Sequence, residues 1–89
     1  MIRCQLEIIN KLGLHARAAT KLAAVAGHYL CTIRTGTEEP LVDAKSIMSV
    51  MMLAAGKGTV LDLKIEGPDE EAALKALTEL IDNRFDEPE

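Results

Sequence analysis

Aromatic residues are almost missing from this sequence, which has one Tyr, one Phe and no Trp among 89 residues. Proteins that bind single-stranded nucleic acids stack bases on aromatic rings, and a net charge of −4 would repel phosphate backbones as well. We therefore expect no nucleic-acid partner.

Cysteines and long apolar runs are also scarce. Cys4 and Cys31 are the only cysteines, and neither has the CxxC or Cys/His spacing of a metal site. We expect both to be small core residues of a reduced, cytoplasmic protein, although a pairing between them stays open. The longest apolar stretch, residues 47–55, is far shorter than the roughly 20 residues of a membrane span, so we expect no membrane insertion.

The hydrophobic pattern of a chain this long fits a single domain over residues 1–89. Alternation of apolar and polar residues predicts strands over 2–8 and 61–65, and β-prone runs predict a hairpin over 29–35 and 40–44. Helical spacing predicts three helices, which begin at Ala16, after Ser46 and near Pro68. We expect Gly27 to end the first helix in a left-handed conformation and the second helix to stop around Gly56.

The predicted element order is β-α-β-β-α-β-α. This order favours an α+β fold, an open-faced β-sandwich in which three helices cover one face of a four-stranded, mostly antiparallel sheet. In that fold the other face of the sheet is exposed to water.

Charge is distributed unevenly along the chain. Residues 1–36 carry a balance of +4 and residues 37–89 a balance of −8, so an anion site is expected in the first part. The acidic tail, with Asp86, Glu87 and Glu89, is interpreted as a solvated end without a function.

The segment around His15 combines a histidine with a helix start. The backbone N–H groups of Ala16, Arg17 and Ala18 would lie at the helix N-terminus, where they can bind phosphate, and the Arg17 guanidinium can add a charged hydrogen bond. A neutral imidazole nitrogen of His15 can attack phosphorus and leave again, which suits reversible phosphoryl transfer. On spacing alone, a solvated helix cap remains the competing interpretation of His15.

Two separate motifs resemble one known family. Residues 10–17, Asn-Lys-Leu-Gly-Leu-His-Ala-Arg, resemble the phosphorylation-site signature of the histidine-containing phosphocarrier proteins, HPr and its nitrogen-branch relative, of the phosphoenolpyruvate-dependent phosphotransferase system. Residues 44–48, Ala-Lys-Ser-Ile-Met, resemble the second signature of that family, and Gly58, residues 66–71 and the chain length agree. Ala18 departs from the pattern, because the family usually has proline there, and we expect phosphorylation to survive this change.

The resemblance implies a function for the site. His15 would accept a phosphoryl group on Nδ1 from the phosphohistidine of enzyme I and pass it to a histidine of an enzyme IIA protein, while Arg17 steadies the phosphate. It also implies a stoichiometric relay that needs no metal or cofactor, although such carriers are often classed as transferases. We expect a monomer; whether the relay serves sugar uptake or nitrogen and carbon regulation stays open.

The second motif has two interpretations. Ser46 is a preferred N-cap residue, worth about 1 kcal/mol, and by resemblance it is also a regulatory site for an ATP-dependent HPr kinase/phosphorylase. The helix that follows has more apolar residues than one buried stripe can use. We therefore predict that Ile47, Met48 and Met51 form an exposed docking surface, while Val50 and Leu53 enter the core.

Two further classes of function compete with the carrier. A non-phosphorylated interaction module predicts that the acceptor side chain is missing, but His15 is present. A small phosphohydrolase needs a residue that orients attacking water, and the sequence specifies none near His15.

Overall fold

Four strands form one antiparallel sheet in the computed structural model, which describes residues 1–89. The strands are Ile2–Glu7 (β1), Thr32–Gly36 (β2), Val42–Asp43 (β3) and Val60–Glu66 (β4). Their order across the sheet is β1-β4-β2-β3, so β1 lies at an edge and pairs only with β4. The predicted fold class, an open-faced antiparallel sheet with helices on one face, is confirmed.

The core lies between the inner face of the sheet and the helices. On β4 the side chains of Leu61, Leu63 and Ile65 are buried. On β1 the alternate residues Arg3 and Gln5, which point to the other face, are exposed. This alternation confirms the period-two pattern and leaves the outer face of the sheet polar.

Three helices cover the inner face: Ala16–Gly27 (α1), Ile47–Met52 (α2) and Glu70–Asp82 (α3), the last followed by a 3₁₀ turn over Arg84–Asp86. Helix α1 packs through alanines and one leucine, and its main neighbours are α2 and α3. Its buried residues are Ala18, Ala19, Leu22, Ala23 and Ala26. Helix α3 buries Ala73, Leu77 and Ile81 on the same core.

Several predicted boundaries are wrong. Helix α1 ends at Gly27 as predicted, but without the predicted left-handed conformation, and its C-cap residue His28 is right-handed (φ −73°). The end of the helix closes instead with hydrogen bonds between residues i and i+3, such as Tyr29 N–H to Ala26 O (3.2 Å). Strand β2 begins at Thr32, three residues later than predicted, because the N–H groups of Leu30 and Cys31 donate to the carboxylate of Asp69.

The second helix also ends earlier than predicted, at Met52 and not around Gly56. Ala54 takes a positive φ of 52° directly after the cap, so the chain turns before it reaches the glycines. Both cysteines are free, with Cys31 buried and Cys4 half-buried. No helix of the structure is long and apolar enough to cross a membrane.

Candidate functional site

The loop before α1 is packed against the segment that follows α2. Leu14 N–H donates to Ala55 O at 2.8 Å, and Leu14 itself is buried. Gly13 has a φ of +68°, and a Cβ at this position would lie 2.5 Å from Ala55 O and 2.7 Å from Gly56 Cα. Only glycine fits both the conformation and the space, so this contact fixes the chain just ahead of His15.

His15 is the N-cap residue of α1, in agreement with the predicted helix start. Its backbone is extended (φ −70°, ψ 178°), and its Nδ1 accepts a hydrogen bond from Arg17 N–H at 3.3 Å. The side chain is 28% exposed, so one part of the ring is open to solvent. The cap interpretation of His15 is therefore confirmed, and the capping nitrogen is the same Nδ1 that the carrier interpretation names as the acceptor.

The other ring nitrogen, Nε2, contacts the carboxylate of Glu87. The interpretation of the acidic tail as a solvated end is therefore wrong for Glu87, whose side chain is only 10% exposed. Asp86 and Glu89 are also paired, with Lys21 (3.3 Å) and Lys11 (3.6 Å). The tail returns to the start of α1, where Glu87 is enclosed while Asp86 and Glu89 stay exposed.

A short turn directs the tail to this position. Arg84, Phe85 and Asp86 all have positive φ (55°, 55° and 64°), a conformation that costs about 1–2 kcal/mol for each non-glycine residue. Phe85 is fully buried, and Lys21 Nζ donates to its carbonyl oxygen at 2.9 Å. Burial of the ring and the lysine contact offset the cost of the turn and hold the tail against α1.

Asn10 links the loop to the tail. Its buried amide nitrogen donates both to Gly13 O (2.9 Å) and to Glu87 Oε1 (3.0 Å), while its Oδ1 has no partner in the chain. Burial would raise the pKa of the Glu87 carboxyl, but the hydrogen bonds from Asn10 and His15 and the attraction of His15 and Arg17 outweigh it, and the pKa lies below its ordinary value. Glu87 is thus a carboxylate held in place through both oxygens.

Two kinds of anion-binding group remain free beside His15. The exposed Arg17 side chain makes no hydrogen bond or ion pair, and the N–H groups of Ala16 and Ala18 have no acceptor within the chain. Ala16 and Arg17 border an open depression of about 570 Å³, whereas Ala18 is buried behind them. Its lining residues are Lys11, Leu12, His15, Ala16, Arg17, Glu87, Pro88 and Glu89. Cationic groups and free amides around one ring nitrogen are suited to a phosphoryl group.

The second motif lies on the neighbouring helix, since α2 packs against α1. Ser46 caps α2, and its Oγ accepts a hydrogen bond from Ser49 N–H at 3.3 Å. Val50 is buried and Leu53 packs partly buried against the core, as predicted.

The predicted docking residues Ile47, Met48 and Met51 are exposed. Met52 and Leu12, which lie outside the predicted surface, are exposed as well, at 79% and 67%. At about 100° per residue Met52 lies nearly opposite the buried Val50, so helical spacing contained the signal for it, whereas Leu12 lies in a loop without periodicity.

Sequence reasoning missed Glu87 and Asn10 as parts of the site. Asn10 stands inside the first motif, which was the available signal for it. No local signal exists for Glu87, because it lies 72 residues from His15 along the chain.

An open-faced sandwich whose first helix begins with a partly exposed histidine is the architecture of a small phosphocarrier domain. A family model described as "PTS HPr component phosphorylation site" matches residues 2–83. The chain is 64% identical to a phosphocarrier protein HPr of Pseudomonas aeruginosa, covering 96% of each chain, and 52% identical over the full length to one of Cupriavidus necator. It superimposes on the crystal structure of HPr-C-His from Thermoanaerobacter tengcongensis with a TM-score of 0.94, at 42% identity and complete coverage of both chains. The chain therefore belongs to the HPr family, the phosphocarriers of the phosphotransferase system.

Proposed function

We propose that His15 carries the phosphoryl group on Nδ1, receiving it from the phosphohistidine of enzyme I and delivering it to a histidine of an enzyme IIA protein. The observation that supports this most directly is the position of Nδ1, which accepts the Arg17 N–H at 3.3 Å in a depression that Arg17 also lines. A phosphoryl group entering there exchanges one long N–H···N bond for stronger bonds from N–H to anionic oxygen.

The transfer is a displacement at phosphorus between two imidazoles. The Nδ1 lone pair of His15 forms the new N–P bond, while the N–P bond of the donor breaks and its electron pair returns to the donor nitrogen. Arg17 and the N–H groups of Ala16 and Ala18 bind the oxygens as they arrive. The second transfer repeats these events with His15 as the leaving group, so the chain acts as a stoichiometric relay without a metal or cofactor of its own.

The exposed apolar side chains of α2 are proposed as the surface that docks with both partners. Ile47, Met48 and Met51 lie beside the helix that carries His15, and Met side chains adapt to more than one partner surface. We place this relay in the cytoplasm as a monomer, in either the sugar-uptake or the regulatory branch of the phosphotransferase system.

Ser46 is proposed as a site for a regulatory kinase, in addition to its capping role. Its Oγ accepts only one long hydrogen bond, from Ser49 N–H, and the side chain is half-buried beside the proposed docking surface. A phosphate there would add about −1.5 to −2 units of charge next to Ile47 and Met48 and weaken partner binding more than it disturbs the fold.

The hydrolase alternative gains no support from Glu87, although a carboxylate does lie near His15. Its two oxygens are occupied by Asn10 and by His15 Nε2, on the side of the ring away from Nδ1. It is therefore not placed to direct water at a phosphorus bound to Nδ1.

The deciding experiment is incubation with phosphoenolpyruvate and enzyme I, followed by analysis of the phosphorylated protein. We expect one phosphate per chain that is labile in acid, stable in base and absent from His15→Ala. A phosphorylated His15→Ala protein would refute the assignment, and steady release of inorganic phosphate by the isolated protein would favour a hydrolase.

A further inference from the structure

The second nitrogen of the His15 ring is covered by a carboxylate from the far end of the sequence. We propose that Glu87 is a positioning residue for phosphoryl transfer: by accepting the Nε2 proton it holds His15 in the tautomer whose Nδ1 lone pair can attack phosphorus. This inference rests on the proposed role of His15 as the acceptor.

The contacts of the two ring nitrogens specify the tautomer. Nδ1 receives the N–H of Arg17, so a hydrogen on Nδ1 would point at another hydrogen. The proton of a neutral ring therefore lies on Nε2, where Glu87 Oε2 is the acceptor. In this tautomer the nucleophilic nitrogen is the one beside Arg17 and the free helix amides.

The carboxylate is held firmly enough to act on the ring. Asn10, which is fully buried, binds its other oxygen at 3.0 Å and is itself fixed to Gly13 O. The chain just before Glu87 is anchored by the buried ring of Phe85 and by Lys21. Hydrogen bonds that keep the pKa of Glu87 below its ordinary value keep it ionised at neutral pH, so it only accepts.

A fixed carboxylate at Nε2 assists both directions of transfer. When Nδ1 bonds to phosphorus, the ring becomes positively charged while its proton stays on Nε2, and the negative charge of Glu87 stabilises that state. When the phosphoryl group leaves, the N–P electron pair returns to the ring, which is again neutral with its proton on Nε2. No proton has to be exchanged with solvent in either step.

The tail could also act in the opposite sense. Pro88 and Glu89 line the same depression as His15, so the segment could obstruct an approaching partner. The two roles predict opposite effects when the Glu87 contact is removed, because a positioning residue speeds transfer and an obstruction slows it.

Glu87→Gln tests the proposal because the glutamine has a single carbonyl oxygen for two donors. Either Asn10 or His15 must then face an NH₂ group, which cannot accept. We expect phosphorylation by phosphoenolpyruvate and enzyme I to slow by about tenfold, the scale typical of losing a group that orients a histidine. Nitrogen-15 NMR of the unphosphorylated protein should show a smaller population of the Nε2–H tautomer of His15.

Glu79→Gln is the matched control, since it makes the same substitution at an exposed side chain of α3 that has no hydrogen bond or ion pair and does not line the depression. It should keep the wild-type rate and tautomer, and urea unfolding should show that both variants are folded. An unchanged or increased rate in Glu87→Gln, in a preparation whose wild type is phosphorylated on His15, overturns this inference alone. A wild type that is not phosphorylated on His15 overturns both this inference and the proposed function.

Discussion

At the scale of single residues, the site depends on a backbone contact as much as on its reactive side chain. Gly13 allows the loop to touch the chain at Ala55 and Gly56, and through this contact the loop ahead of His15 is fixed to the end of α2. A histidine on a mobile loop would lose much of the advantage of pre-arranged phosphate-binding groups.

We predict that Gly13→Ala lowers the free energy of unfolding by about 2 kcal/mol or more, since a positive φ and a backbone clash act together. Gly27→Ala is the control, because a Cβ there meets nothing within 4 Å and alanine favours the helix by about 0.5–1 kcal/mol. Urea unfolding monitored by circular dichroism measures both. Equal stability of the two variants would show that the contact at Gly13 is not as tight as described.

At the scale of elements, α2 exposes apolar side chains that do not pack into the core. Met48 is 66% exposed, so its replacement removes little buried surface. Of the six residues of α2 only Val50 is buried, so most of its apolar side chains lie at the surface.

We predict that Met48→Glu slows phosphoryl transfer from enzyme I by about tenfold while the free energy of unfolding changes by less than about 0.5 kcal/mol. Leu30→Glu is the matched control: this leucine is also exposed but lies beyond the opposite end of α1 from His15. Transfer kinetics at varied carrier concentration measure the effect, and equal slowing in both variants would argue against a docking surface on α2.

The start of α3 is joined to the chain that enters β2 through Asp69. Its carboxylate accepts hydrogen bonds from Leu30 N–H (2.8 Å) and Cys31 N–H (2.9 Å) and caps no N–H of its own helix. The bond from Leu30 is the main reason why the pKa of Asp69 lies below its ordinary value of 3.8. Its ionised form stabilises the fold above that value, and the contribution is lost as the pH falls through the lower pKa of the folded state.

We predict that Asp69→Asn reduces stability at pH 7 and flattens the loss of stability below about pH 4, because asparagine cannot bind both N–H groups through one oxygen. Asp82→Asn, the same change at a carboxylate without a hydrogen bond, serves as the control. Urea midpoints between pH 2 and pH 7 provide the test. An equally steep acid branch in Asp69→Asn and wild type would contradict the assignment.

Asp69 also shows where sequence reasoning ends. The alternation of Leu61, Leu63 and Ile65 with polar residues predicted β4, because the polarity of each side chain indicates which face of the strand is buried. The late start of β2 depends on a carboxylate 38 residues beyond Cys31, and the contact between Glu87 and His15 spans 72 residues. Local spacing singled out His15 and predicted its helix, but it contains no information about partners brought in by the fold.

At the scale of the whole molecule, Phe85 connects stability to the site. It is among the largest fully buried side chains of the core, and it stands in the turn that delivers Glu87. In a domain whose total stability is of the order of 5–15 kcal/mol, such a residue contributes a substantial share.

We predict that Phe85→Ala lowers the free energy of unfolding by about 3–5 kcal/mol, while Phe85→Leu, which fills more of the space, costs less. Urea unfolding gives both values. A loss below about 1 kcal/mol for the alanine variant would mean that the tail does not belong to the core.

The position of β1 at the edge of the sheet has a consequence during synthesis. Its only neighbour is β4, so β1 has no partner during synthesis until residues 60–66 have left the exit tunnel. The nascent chain must therefore keep Ile2, Cys4 and Leu6 out of aggregates until β4 emerges, and the closure of the sheet is a long-range event.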